Sequence, residues 1–347
     1  MCRNRSTSTR NNRAAGARAY HPAMRVVSLV PSASEILCLV GGESMLVGRS
    51  HECDHPPSIA GLPVLTGSRL HGLGSSAEID RSVADATRAD ACLYHLDADR
   101  LRELRPDLIL TQSLCGVCSI DLAAVEAAVA GLDPSPRILA LDPRSLEGVL
   151  DDILTIGEAV GREREALDEV VRLRNRMDEA ANHVNPYAEG LRTVALEWTD
   201  PPFVAGHWTP QLVERAGGSH PLNPTEPMEG AGAGTAALGA LRVAGASIRV
   251  EPEAIAASAP EAVVIAPCGL ALDRAMSDAR ELMATDWFPS LPAVERGKVA
   301  VVDGNAMFAR PGPRLIDAFE FLVGYLNDLP DLIPEGFPWR ALDTSQG

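Results

Sequence analysis

"RVVSLVPSASEILCLVGGESMLVGRSHECDHPP", residues 25–57, sets the fold class. The runs 25–30 and 45–50 are short, apolar and rich in Val and Leu, as strands buried on both faces of a parallel sheet must be. Between them, "SASEILCL" at 32–39 carries Ser32 with Glu35 three residues on, a capping-box pattern at a helix start. Strand, helix and parallel strand in this order define an α/β unit. The second strand runs directly into "SHECDHPP", where His51, Cys53 and His55 alternate with Glu52 and Asp54. In extended chain, alternate residues point the same way. The cluster can therefore be metal ligands, a reactive centre, or a turn shaped by Asp-His and His-Pro pairs.

The same alternation continues outward. "DLILTQ" (107–112) and "RILALD" (137–142) read as further parallel strands, giving a first α/β lobe over 24–143. Residues 144–186 carry almost no strand signal. Val149, Ile153, Ile156 and Val160 keep helical spacing, with Gly157 and Gly161 as breaks. A second piece over 162–183 would be about 33 Å long at 1.5 Å per residue, enough to bridge two lobes. "TVALEW" (193–198), "AVVIAP" (262–267) and "VAVVDG" (299–304) rebuild the pattern as a second α/β lobe over 187–330. The Gly/Ala-rich stretch 228–247 reads as a loop insertion, and 331–347 as a tail without a motif. The expected fold is α/β: two lobes with central, mostly parallel sheets, joined by a long linking helix.

Composition narrows the function. The chain has 347 residues, 46% hydrophobic and 22% charged, with a net charge of −16. The first 23 residues hold five arginines and no acids, leaving 26 basic against 47 acidic side chains in the body. So acidic a body repels nucleic-acid phosphates. No window approaches the roughly 20 apolar residues of a membrane helix. Seven cysteines at irregular spacing argue against a disulfide framework and for reduced, buried thiols. Residues 1–23 lack the apolar core of a secretory signal and read as a disordered extension or a misplaced start. Together these point to a cytoplasmic location.

Ligands of parallel α/β sheets sit outside the carboxyl ends of the strands. That rule selects "PSASE", "SHECDHP" and "SLCGVC" in the first lobe. In the second it selects "TDPPFVAGHW", "CGL" and "NAMFARPGPR". The unusual polar and aromatic clusters of the chain fall at these ends. Cys115 and Cys118 form a single CxxC, which with His51, Cys53 and His55 could supply a metal site across two loops. A cysteine nucleophile at Cys53 or Cys115, with a histidine base, is a second possibility. Trp198, Phe203, Trp208, Trp287, Phe288 and Phe308 all lie in the second lobe, although aromatics are only 4% of the chain. Beside His207 and Arg310, four of them at one rim suit a broad flat ligand with polar substituents. Arg310 and Arg314 frame "RPGPR", a stiff wall or a plain helix entry.

Taken in order, "RVVSLVPSASEILCLVGGESMLVGRSHECDHPP", "LDADRLRELRPDLILTQ", "EWTDPPFVAGHWTPQLVERAGG", "VEPEAIAASAPEAVVIAPCG" and "GKVAVVDGNAMFARPGPRLIDAFEFL" resemble the helix-linked class of ABC-transporter substrate-binding proteins. The nearest branch is the cobalamin-binding one, and the resemblance spans about 25–327. It implies one ligand held without bond chemistry between lobes that move little. The implied ligand is a corrinoid, taken up, salvaged or delivered. Haem, another metal chelate or a bare metal ion are alternatives on the same fold, and a thiol-dependent hydrolase or transferase is an alternative of another class. The implied walls are Ser32, His51, Glu52, Cys53, Cys115, Cys118, Trp198, His207, Trp208, Phe308 and Arg310, with His51 or His207 able to offer nitrogen to cobalt. Exported relatives dock on a permease through one acid per lobe, which here match Asp99 and Glu253; both also sit where helix-dipole capping would put an acid. The segment 75–95, "SSAEIDRSVADATRADACLYH", departs from the family pattern as an insertion.

Overall fold

The computed structural model describes residues 24–69, 74–89, 92–113, 120, 122–228 and 242–344. Cys115, Cys118, the leader 1–23 and most of the Gly/Ala-rich stretch lie outside the described residues. The first lobe contains β1 (Val26–Ser28), α1 (Pro31–Leu39), β2 (Leu46–Arg49), β3 (Thr66–Ser68), α2 (Ser76–Arg88) and β4 (Tyr94–Leu96). It continues with α3 (Ala98–Leu104), β5 (Leu108–Gln112), α4 (Leu122–Val129) and β6 (Arg137–Leu141). Its main sheet is parallel, in the order β2-β1-β5-β6. Val26, Val27, Ile109 and Leu110 on its central strands are fully buried, as the unbroken apolar runs require. The inserted segment hangs from a separate antiparallel ribbon, β3 with β4, and carries α2.

Helices α5 (Leu146–Ala159) and α6 (Glu163–Ala181) join the lobes. The break between them is Gly161, whose φ of 68° favours a residue without a Cβ. Gly157 does not break the chain as expected. It stays inside α5, where a Cβ would lie 2.3 Å from that of Ala166, so it lets the two helices touch. The second helix spans 19 residues, about 28 Å at 1.5 Å per residue. It also packs on α11 (Leu315–Leu326), where Arg176 meets Asp317 at 2.6 Å and Glu320 at 2.5 Å.

The second lobe is built from β7 (Thr193–Thr199), β8 (Pro202–Val204), α7 (Trp208–Arg215), β9 (Glu226–Pro227), β10 (Arg242–Val243) and β11 (Ile248–Arg249). After α8 (Pro252–Ala257) come β12 (Ala262–Ile265), α9 (Leu272–Met283), α10 (Pro292–Glu295), β13 (Val299–Val302), α11 and β14 (Trp339–Ala341). Its sheet runs β11-β8-β7-β12-β13-β14, with β7, β12 and β13 parallel. One hydrophobic core runs without interruption from Val26 and Ile36 through Ile153 and Leu173 to Trp208, Phe308 and Phe319. It ties both lobes to the linking helices.

Two expectations change here. Ser32 and Glu35 form no capping box: α1 starts at Pro31 with no side-chain cap, and Glu35 is buried. Residues 331–347 are not merely a tail, because β14 pairs antiparallel with β13. Phe337 stacks on Phe321 at 4.5 Å between centroids, and Trp339 lies 5.6 Å from Tyr325. This aromatic cluster closes the sheet edge on α11. Replacing Phe337, which is 9% exposed, by Ala is expected to lower stability by about 3 kcal/mol. Urea unfolding followed by circular dichroism measures the change; a loss below about 0.5 kcal/mol would show the segment to be an appendage.

Candidate ligand-binding cleft

The carboxyl ends of both sheets face one another across a cleft. Its larger chamber, about 440 Å³, is lined mainly from the second lobe by Phe203, Gly206, His207, Trp208 and Phe308, with Val83 and Gln112 reaching it from the first. A smaller chamber of about 150 Å³ is lined by Ser32, His51, Glu52, Thr66, Tyr94 and Asn305, with Arg310. Gln112, Cys268, Ala309 and Pro311 line both, so the chambers are continuous.

The wall from "SHECDHPP" is held by its own strand. Arg49 donates to the carbonyls of Ser50 (3.1 Å), Cys53 (2.9 Å) and Ala60 (2.7 Å), fixing the loop's path. Residues 51–52 form a turn rather than extended chain, so the three metal-type side chains diverge. His51 faces the cleft, with Nδ1 2.7 Å from Thr66 Oγ1 and Nε2 3.2 Å from Glu52 Oε1. The hydrogen bond from His51 keeps the Glu52 carboxyl below the usual range, against the opposing effect of burial. Cys53 turns into the core, fully buried, and accepts from Ser34 Oγ at 3.0 Å. His55 lines a different groove behind α1, beside Cys38, Glu43 and Arg172.

The expected metal set His51, Cys53 and His55 is therefore corrected: a turn and a buried thiol keep its members apart. Among the described residues no group of three or more His, Cys, Asp or Glu side chains could hold a metal ion. Cys53 is also corrected as a nucleophile and as a cleft wall. Burial pushes its thiol up to about 11, so it carries negligible thiolate at neutral pH.

On the opposite wall, Gly206 and His207 bend the chain into α7. A Cβ on Gly206 would lie 2.3 Å from the backbone of Ser247, and His207 itself has φ of 54°. This turn presents the His207 ring, stacked on Trp208 at 5.6 Å between centroids. Burial, and then the nearby Arg144 charge, hold the His207 imidazole below its ordinary value, against the pull of Asp142. It is a neutral nitrogen donor at physiological pH. Trp208 is fixed by its indole, which donates to the Phe308 carbonyl at 2.8 Å.

Trp198 does not line either chamber as it is described. Its indole donates to the carbonyls of Ser76 and Asp200, both at 3.2 Å. Trp287 and Phe288 pair edge to face, Phe288 being fully buried in the second-lobe core, so they are packing residues. Phe203, Gln112, Asn305, Thr66, Tyr94, Cys268 and Val83 are lining residues not named as ligand walls from sequence. All but Thr66, Val83 and Tyr94 lie at or near the strand ends that the parallel-sheet rule had already marked.

Arg310 is 5% exposed and crosses between the lobes. It donates to both Asp54 carboxylate oxygens, at 2.5 and 3.1 Å, and lies 3.5 Å from Glu35. Arg314 makes a two-pronged contact with the same Glu35, at 2.9 and 2.6 Å. Its charge spent on these acids, Arg310 is a latch as well as a wall.

Two α/β lobes, a paired-helix linker and a ligand-sized cleft at the strand ends define a substrate-binding protein of the helix-linked type. The chain belongs to the periplasmic binding protein family, whose match covers residues 26–306. No curated protein matches it. Among solved structures it is similar to a periplasmic heme-binding protein of Pseudomonas aeruginosa, at 21% identity and a TM-score of 0.63 over 88% of this chain and 93% of that one. The periplasmic vitamin B12-binding protein of Vibrio cholerae aligns at 17% identity and a TM-score of 0.62, over 89% and 98% of the two chains. A periplasmic heme-binding protein of a Roseiflexus species aligns at 18% and 0.61, over 88% and 99%. At such identities the likeness is one of fold. The expected cytoplasmic location is overturned, since the family and these relatives are periplasmic. The family is one of binding proteins rather than enzymes. No helix among the described residues is long and apolar enough to cross a membrane.

The latch carries a pH dependence. Burial would raise the Asp54 carboxyl, but the hydrogen bond and charge of Arg310 outweigh it and hold it below the ordinary value. A depressed carboxylate contributes stability above its unfolded pKa and loses it as pH falls through the folded one, so the loss falls below about pH 4. Asp54→Asn is expected to flatten that acid limb in thermal melts between pH 3 and 7. An unaltered limb would mean that Asp54 and Arg310 are not paired in solution.

Proposed function

We propose that this protein binds a corrinoid in the interlobe cleft, for uptake, salvage or delivery, and carries out no bond chemistry on it. The observation that carries this reading is the charge of the lining. Phe203, Trp208 and Phe308 offer an apolar face. Ser32, Thr66, Tyr94, Gln112 and Asn305 offer neutral hydrogen-bonding groups opposite. Among the described residues, the single guanidinium lining the cleft is that of Arg310, already paired with Asp54 and Glu35, while Glu52 and Glu197 are acids. A corrinoid is a broad macrocycle with an amide-rich periphery, which such a wall suits.

Haem on the same fold is the second reading, supported by His207 as a neutral donor at the apolar chamber. Its propionates, however, would face carboxylates rather than an available cation, which disfavours it. Corrinoid cobalt could take the same nitrogen, or that of His51. Docking on an ABC permease belongs to this proposal too. Asp99 is 91% exposed on its side chain, in the first turn of α3, although it pairs with Arg102; Glu253 is exposed in the first turn of α8.

Titration with cyanocobalamin and with haem, read by absorbance and calorimetry, tests the reading. One-to-one binding of cyanocobalamin, tighter than haem, is expected. Phe203→Ala should weaken it by roughly tenfold, the effect of about 1.4 kcal/mol of lost aromatic contact. Tighter haem binding would replace the corrinoid reading with the second one, and binding of neither would sink both. Visible spectra of bound aquocobalamin that stay the same when His51 and His207 are both changed to Ala would remove histidine as a cobalt ligand.

A further inference from the structure

We propose that α2, the helix inserted into the first lobe, is a gate over the cleft and that Asp278 of the second lobe is its catch. The inference rests on the reading that the cleft takes a ligand. The helix leaves the first lobe on the β3–β4 ribbon and reaches across to the second lobe. Ser76 Oγ donates to Asp278 Oδ2 in α9, and the Ser76 carbonyl accepts from the Trp198 indole at 3.2 Å. Asp278 is 2% exposed and is aimed by Arg274, 2.9 Å away, with Thr199 Oγ1 at 3.5 Å. From this docked position Val83, two turns along, forms part of the larger chamber's wall.

The rest of α2 is loosely held. Ser76 alone is buried along its 13 residues, and among the described residues no other strand or helix packs broadly against it. Its integrity as a helix does not come from packing. A capping box closes its start: Glu78 N donates to Ser75 Oγ at 3.2 Å, and Ser75 N donates to Glu78 Oε2 at 3.0 Å. A self-capped helix with one buried anchor can swing away as a unit, since segments with few buried contacts open at low cost. The lobes themselves cannot separate as easily, because the Arg310 latch and the continuous core join them. Access to the large chamber then depends on releasing the Ser76–Asp278 contact rather than on parting the lobes.

Amide hydrogen exchange on the full chain without added ligand tests the gate independently of what binds. Amides of 76–88 are expected to exchange faster than those of α5 and α6 in the unsubstituted protein. Ser76→Ala should accelerate them roughly tenfold further while leaving α6 unchanged. Asp278→Asn, which keeps the shape but removes the charge, should act in the same direction. Protection of α2 equal to that of α6, or exchange indifferent to Ser76→Ala, would overturn the proposal. Stopped-flow mixing with cyanocobalamin gives the second readout: Ser76→Ala should speed association and dissociation together and change affinity little. Unchanged rates would also overturn it. Failure of cyanocobalamin to bind at all would count against the corrinoid reading, and the exchange measurement would still decide the gate.

Discussion

Glu35 is the point on which the two lobes are set. Its carboxylate is nearly inaccessible and receives Arg314 in a two-pronged contact while lying within reach of Arg310, which in turn holds Asp54. Burying such charges is costly, and a well-packed apolar replacement could match the net stability. What the charges add is geometry. Planar guanidiniums satisfy carboxylates in few orientations, so this array admits one placement of the "RPGPR" loop against α1. Gly312 lies directly against α1: a Cβ there would sit at ordinary contact distance, 3.4 Å from the Glu35 carboxylate and 3.5 Å from Ser32. The array stands directly behind the smaller chamber, whose lining includes Ser32 and Arg310. A shift in it would reshape the cleft.

The linking helices reinforce the same constraint. A hinge made of a few loop residues would permit large rotations. Here α5 and α6 pack together at Gly157 and Ala166, and α6 is bound to α11 through Arg176. The apolar core passes through them into both lobes. Close-packed interiors switch between discrete arrangements rather than bending smoothly. A cleft in such a frame is largely preformed, and the ligand meets its shape instead of creating it.

Much of this was legible in the chain. Apolar runs such as 107–112 and 262–267 announce parallel strands because both of their faces are buried, and the strand-end rule then locates the cleft from topology alone. Side-chain direction was the weak point. His51, Cys53 and His55 share a face only if the backbone stays extended, and the turn at 51–52, held by Arg49, cancels that premise. Trp198 sits at the right strand end but is claimed by Ser76 from a segment far away in sequence. Glu35 has the spacing of a cap yet serves an arginine 279 residues on, a pairing no local pattern can express. Long-range polar partners are decided by how sheets and helices stack, and periodicity carries no record of them.

The charge of the chain and that of its cleft point in one direction. With a net charge of −16, the protein's field opposes the approach of any anion, and that effect is strongest at low ionic strength. Binding proteins for anionic solutes offset such a field with local cations or helix N-termini aimed at the ligand. In this cleft the nearest guanidinium has been given to the latch, and Arg144, close to His207, is drawn toward Asp142 at 3.1 Å. Releasing Arg310 to a ligand carboxylate would leave Glu35 and Asp54 partly unpaired and loosen the frame at its most constrained point. The demand for fixed lobes and the demand for an anion site therefore compete for the same side chain. In the structure Arg310 serves the frame, paired with Asp54 and Glu35 across the lobes.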